Sequence, residues 1–152
     1  MLMFRRHGRN CLTVETGAAI LVFDADRGGQ LTALTVKNDG GPHDLTPPTN
    51  CPLADLVLHI QRQTVRLSSQ HAELTVEQPA PDYLRLVAAT RIESVAHIHQ
   101  EYEIHETGAL FCLFRIEPVV ADALPISECR LEFTLAPGLI RTGLYHLFSR
   151  RL

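Results

Sequence analysis

The chain has 152 residues, of which 45% are hydrophobic and 20% charged, with a formal net charge of −3. That length suits one domain with a real core over residues 1–152, and the balance excludes a disordered chain. The acidic sum offers no general attraction to nucleic acid or anionic membranes, and no apolar run approaches the ~18 residues of a membrane span.

The start, Met1-Leu2-Met3-Phe4-Arg5-Arg6, has no apolar signal core behind its charges, so a cytoplasmic location is expected. Arg5, Arg6 and Arg9, like Arg150 and Arg151 at the other end, read as solvated basic termini. Period-two alternation then recurs along the chain without convincing helical periodicity, which predicts an all-β, antiparallel architecture. Strands are expected over 11–14, 19–24, 31–37, 56–61, 64–67, 83–92 and 109–117. The run Asp24-Ala25-Asp26-Arg27-Gly28-Gly29 suits a reversal, since glycine tolerates positive φ and aspartate bonds nearby backbone groups. A glycine pair can also cradle phosphate, but no helix-like segment follows this one.

Residues 40–50, with a glycine pair and Pro47-Pro48, are expected to form a long loop from which His43 and Asp44 could extend over a ligand. Two further strands look half buried. In one, Ala72, Leu74 and Val76 face inward and Glu73, Thr75 and Glu77 outward; in the other, Cys129, Leu131, Phe133 and Leu135 face inward and Arg130, Glu132 and Thr134 outward. The cysteines Cys11, Cys51, Cys112 and Cys129 are too scattered for a zinc ribbon and read as buried free thiols, although three full disulfide pairings stay open. The last segment, from Leu144 to Leu152, reads as a strand whose exposed edge would invite a homodimer.

Chemistry concentrates in one place. His97, His99, Glu101, Glu103 and His105 are each two residues apart, so an extended strand gathers them on one face. Ile98, Tyr102 and Ile104 would then face a core, with Gln100 the one polar interruption. Thr107-Gly108 follows, and Leu110, Cys112, Phe114 and Ile116 form the next apolar series. A three-residue loop, Glu106-Thr107-Gly108, would set His105 against Ala109, Glu103 against Phe111, Glu101 against Leu113 and His99 against Arg115. A two-residue loop would mix polar and core phases along the whole hairpin, so the longer loop is preferred. The resulting surface has carboxylates and imidazoles beside an apolar strip, which suits a sugar with its apolar faces and hydroxylated rim. The stripe could equally supply a metal through His97, His99 and Glu103, carry acid/base chemistry, or be a plain solvated face.

Ile20-Leu21-Val22-Phe23-Asp24-Ala25-Asp26-Arg27-Gly28-Gly29-Gln30-Leu31 and the Tyr-x-Ile-x-x-x-Gly pattern of Tyr102, Ile104 and Gly108 resemble the galactose-mutarotase-like β-supersandwich. That resemblance implies an antiparallel β-sandwich, shortened or partial at this length, and carbohydrate contact; it transfers no catalytic residue. A competing resemblance is the cupin family, through His97-Ile98-His99 followed by Glu103, with Gly143-Leu144-Tyr145-His146 in place of its later histidine. The combined expectation is a carbohydrate-binding or carbohydrate-processing module whose substrate-binding residues are His99, Glu101, Glu103, His105 and Arg115. Tyr102 or Phe111 would serve as the stacking surface in a chain without tryptophan. No metal or other cofactor is assigned, and the alternatives are a cupin-like metal protein and a structural interaction domain without a ligand.

Overall fold

The computed structural model describes residues 1–47, 51–60, 62–93, 95–119 and 126–134. The first five strands form an antiparallel meander in sequence order: β1 (Met3–His7), β2 (Cys11–Glu15), β3 (Ala19–Asp24), β4 (Gln30–Asn38) and β5 (Gly41–Asp44). Next come β6 (Ala54–Ile60) and β7 (Gln63–Arg66), then β8 (Ala72–Ala80), β9 (Tyr83–Ile92), β10 (Ala96–His105) and β11 (Leu110–Pro118). The last four make a second sheet in the order β11-β10-β9-β8, and β12 (Ile126–Phe133) joins β6 and β7 in a third, ordered β12-β6-β7. The architecture is all-β, antiparallel and sandwich-like, with no α-helix among the described residues.

The four-stranded sheet is one layer, and the other two sheets share the work of covering it. Leu12, Val14, Leu21, Phe23 and Leu31 of the five-stranded sheet pack with Leu84, Leu86, Tyr102 and Ile104. At the other end Leu56, Leu58, Ile60 and Leu67 pack with Ile92 and Ile98. The Phe23 and Tyr102 rings meet at 4.9 Å and 55°, within the range of favourable tilted pairs.

Between the two clusters lies a polar node. Gln100 is fully buried on the inner face of β10; its amide nitrogen Nε2 donates to the Gly28 carbonyl at 2.6 Å, and its Oε1 accepts from Gln30 Nε2 at 2.6 Å and from the Tyr102 hydroxyl at 3.1 Å. Buried amides need such partners, because an unmade bond costs about 1–3 kcal/mol. Gln30 Oε1 and Thr90 Oγ1 are buried without a partner among the described residues.

The turn that supplies Gly28 is the expected reversal after β3. Residues Ala25–Arg27 form one turn of 3₁₀ helix, capped by the Asp24 carboxylate accepting from the Asp26 amide, and Gly28 and Gly29 follow at φ +65° and +68°. The pair is interior packing, not a phosphate cradle. A Cβ on Gly28 would lie 2.1 Å from the Leu67 carbonyl oxygen, and one on Gly29 2.3 Å from Ala88 Cβ. The close approach lets the Gly28 amide donate to Gln70 at 2.7 Å, tying the turn to the 3₁₀ turn Leu67–Ser69 that follows β7.

Three expectations need correction. Gly41–Asp44 is a short edge strand on β4, not loop, because Pro42 tolerates an edge where its missing N–H is not needed. Residues 48–50 of the same stretch lie outside the described residues, as do Leu135 and the whole segment 144–152. The strand over Cys129 to Phe133 exists, but Cys129, Leu131 and Phe133 are exposed, Phe133 by 64%. Cys112 and Cys51 are exposed too, and Cys11 is half-buried, so the thiols are free but not core residues. For Cys112 and the β12 residues the physical reason is position, since β11 and β12 are outer strands of their sheets.

Gly29→Ala is expected to cost about 3 kcal/mol or more, because it combines a left-handed backbone with a rigid clash. Gly8→Ala, at φ +66° with nothing near its Cβ, should cost only the backbone penalty of about 1–2 kcal/mol. Urea denaturation of the two variants measures the difference.

Candidate functional site

The alternation of β10 holds along its whole length: Ala96, Ile98, Gln100, Tyr102 and Ile104 are buried, while His97, His99, Glu101, Glu103 and His105 are half-buried on the outer face. The hairpin register is the one that keeps polar and apolar phases apart. His99 faces Arg115, Glu101 faces Leu113, and Glu103 faces Phe111. The turn closes with the His105 amide donating to the Ala109 carbonyl at 3.0 Å and Gly108 at φ +87°.

On the other side β9 presents Tyr83, Arg85, Val87, Ala89 and Arg91 to the same face, opposite His105, Glu103, Glu101, His99 and His97 in turn. Pairing of β8 adds Glu77 beside Arg85, Thr75 beside Val87 and Glu73 beside Ala89. The outer surface is therefore a grid of rows across four strands, and each expected residue has a definite neighbour.

Glu101 is clamped. Arg85 Nε and Nη2 donate to its two oxygens at 2.5 and 2.7 Å, and Nη1 reaches Glu77 at 3.3 Å. Hydrogen bonding from Arg85 holds the Glu101 carboxyl below the usual carboxylate range, and the same bonds raise the guanidinium. His105 sits between two rings, 5.2 Å from Tyr83 and edge-on to Phe111 at 5.9 Å. Tyr83 is pushed up, first by burial and then by the Glu103 carboxylate. His99 Nε2 and Arg115 Nη1 each lie 3.9 Å from a Glu117 oxygen. Phe111 and Leu113 remain 60% and 59% exposed, forming an open apolar strip beside Glu103 and Glu101.

No family model, curated protein or solved structure matches this chain.

The structure brings His99, Glu101, Glu103, His105 and Arg115 onto one face, with two shallow hollows between them and their neighbours. One of about 110 Å³ is lined by Arg85, Val87, His99, Glu101, Leu113 and Arg115. The other, of about 320 Å³, involves His71, Glu73, Arg91, His97 and His99 around Ala89. The metal set His97, His99 and Glu103 is not assembled: six residues of extended chain separate His97 from Glu103 by about 20 Å. Among the described residues no three His, Cys, Asp or Glu side chains are grouped to hold a metal, and His146 lies outside them. His43 and Asp44 are on β5, in the other layer.

Sequence reasoning missed Arg85, Tyr83, Arg91 and His71. Their strand phase was readable, but which strand lies beside β10 depends on long-range pairing that the period alone does not give.

The Arg85–Glu101 pair gives a signed pH dependence. With the folded value of Glu101 depressed, its contribution is present above the unfolded carboxyl value of about 4.3 and is lost as pH falls through the folded value. In a carboxyl-detected NMR titration, Arg85→Gln should move Glu101 up toward the ordinary range; an unmoved titration would contradict the clamp.

Proposed function

We propose that the outer face of the β8–β11 sheet binds carbohydrate, with the sugar's apolar face on Phe111 and Leu113 and its hydroxyls bonded by His99, Glu103, His105 and Arg115. The observation that carries this reading is the exposed aromatic and aliphatic strip in direct register with hydrogen-bonding side chains. Large apolar side chains left open beside polar groups mark binding surfaces more often than isolated exposed residues do. Glu101 serves mainly as the anchor of Arg85, since both its oxygens already accept from that guanidinium. Phe111 is the stacking ring; Tyr102, the other aromatic considered, is buried against Phe23.

The reading is one of binding. The supersandwich resemblance of the Asp24 to Gly29 turn and the Tyr102 to Gly108 hairpin agrees with it, as does the sandwich-like layering. Four free cysteines fit a cytoplasmic, reducing compartment, and no helix among the described residues is long and apolar enough to cross a membrane.

A panel of neutral mono- and oligosaccharides, titrated in the presence of a chelator, tests the reading. At least one should shift the His99 and His105 imidazole resonances, and Phe111→Ala should weaken that binding by about tenfold or more while the melting temperature holds. Silence across the panel, or binding indifferent to Phe111→Ala, would overturn it.

A further inference from the structure

The larger hollow, at the β8, β9 and β10 end of the same face, has a different chemistry from the apolar strip. Register places Arg91 directly opposite His97, and Ala72 opposite Thr90 brings His71 to the other side of Arg91. Across the sheet the order is therefore His71, just before β8, then Arg91, His97 and Glu117 of β11, with His99 one row along on the same face. Like charges directly opposite one another in a sheet repel, so Arg91, set between His71 and His97, is poorly placed for fold stability when those imidazoles are protonated, and Glu117 on the far side of His97 offsets only part of that charge. Among the described residues neither Arg91 nor His97 has a hydrogen-bond or ion-pair partner, while His71 Nδ1 lies 3.0 Å from Asp26 Oδ1. Ala89 is the smallest outward residue of β9, and its small side chain leaves the floor of the hollow open. At about 320 Å³ the space lies at the lower end of the range for ligand pockets.

We propose that this hollow binds a doubly charged tetrahedral oxyanion, a sulfate or phosphate group, through the Arg91 guanidinium and the imidazoles of His71, His97 and His99. A guanidinium fork and imidazole N–H groups are donors suited to such oxygens, and charge-assisted bonds of this kind are the strong ones. The inference goes beyond the carbohydrate reading and does not require it.

The surrounding charges fix the direction of its pH dependence. Glu73 of β8 lines the hollow, Asp26 touches His71, and Glu117 of β11 stands opposite His97 and 3.9 Å from both His99 and Arg115; farther along the face Arg85 holds Glu101 and Glu77. With three protonated imidazoles, Arg91 and Arg115 complete five cations against the three carboxylates Glu73, Asp26 and Glu117; with neutral imidazoles the two arginines alone face all three. Histidine changes charge between about pH 5 and 8, so the hollow attracts dianions under mildly acidic conditions and much less under basic ones.

Sodium sulfate, dianionic throughout this interval, is the probe, titrated into the whole chain against sodium chloride at equal ionic strength and followed by imidazole NMR. Sulfate should shift the His97 and His99 resonances with saturation at about pH 6, bind about tenfold more weakly or worse at about pH 8, and lose about tenfold in Arg91→Gln. Arg91 is exposed and makes no internal bond, so that variant should fold normally. Sulfate acting no differently from chloride, equal binding by Arg91→Gln, or binding no weaker at the higher pH would each overturn the proposal. Inorganic phosphate and glycerol phosphate, compared at one pH, distinguish the sources: tighter binding of the ester supports a phosphoryl group carried on a larger molecule, and tighter binding of the inorganic ion supports the free oxyanion. A sugar titration of Arg91→Gln separates the two readings, because that residue lies outside the proposed sugar contacts.

Discussion

Two buried amides, Gln100 and Gln30, key the layers of the sandwich to each other. Gln100 is the one inward residue of β10 that is neither apolar nor aromatic-ended, and it bonds the Gly28 carbonyl of the first sheet's turn and the Gln30 side chain at once. Those bonds have geometry and direction, which hydrophobic packing lacks. They fix how the five-stranded sheet sits on the β8–β11 sheet, and they hold β10 in the phase that turns Gln100 inward. A slip of one residue would replace that amide by His99 or Glu101 and would send Ile98, Tyr102 and Ile104 to the surface.

The outer face follows from the same phase. Once the even-numbered residues are committed to the core, the imidazoles and carboxylates of β10 have only one side left, and the paired strands bring their own outward residues against them. The face divides into two chemistries. Toward the β10–β11 turn, Phe111, Leu113, Glu103 and His105 make an apolar strip with a polar rim; toward Ala96, Arg91 and three imidazoles surround an open hollow. Arg85 lies between them and ties Glu101 and Glu77 together in the middle of the sheet. The two ends therefore differ in charge and polarity although they share one sheet face.

Much of this was legible in the residues, for reasons that differ from element to element. Strands 19–24 and 83–92 have the bounds expected, since strict alternation between turn residues leaves little freedom. The β10–β11 register was readable because only one loop length separates polar from apolar phases, and Gly108 supplies the left-handed backbone that loop needs. β1 was missed because Phe4, Arg5, Arg6 and His7 are all exposed and carry no alternating core signal. β5 was hidden behind its glycine and proline, which suit an edge as well as a loop. The inward phase assigned to Cys129, Leu131 and Phe133 failed because alternation shows that a strand has two unlike faces without showing what covers them. The partners Arg85, Arg91 and His71 came from pairing between distant segments, which is a property of the assembled sheet.

The most direct measurement is the set of Hα–Hα nuclear Overhauser contacts between β10 and β11. Because the His105 amide bonds the Ala109 carbonyl, the close, non-hydrogen-bonded pairs should be Ile104 with Leu110, Tyr102 with Cys112, and Gln100 with Phe114. Contacts between those residues would establish the phase that buries Gln100 and opens the histidine face. Contacts of Tyr102 with Phe111 or Leu113 instead would mean a shifted hairpin, and the buried amide and the outer grid would both be wrong.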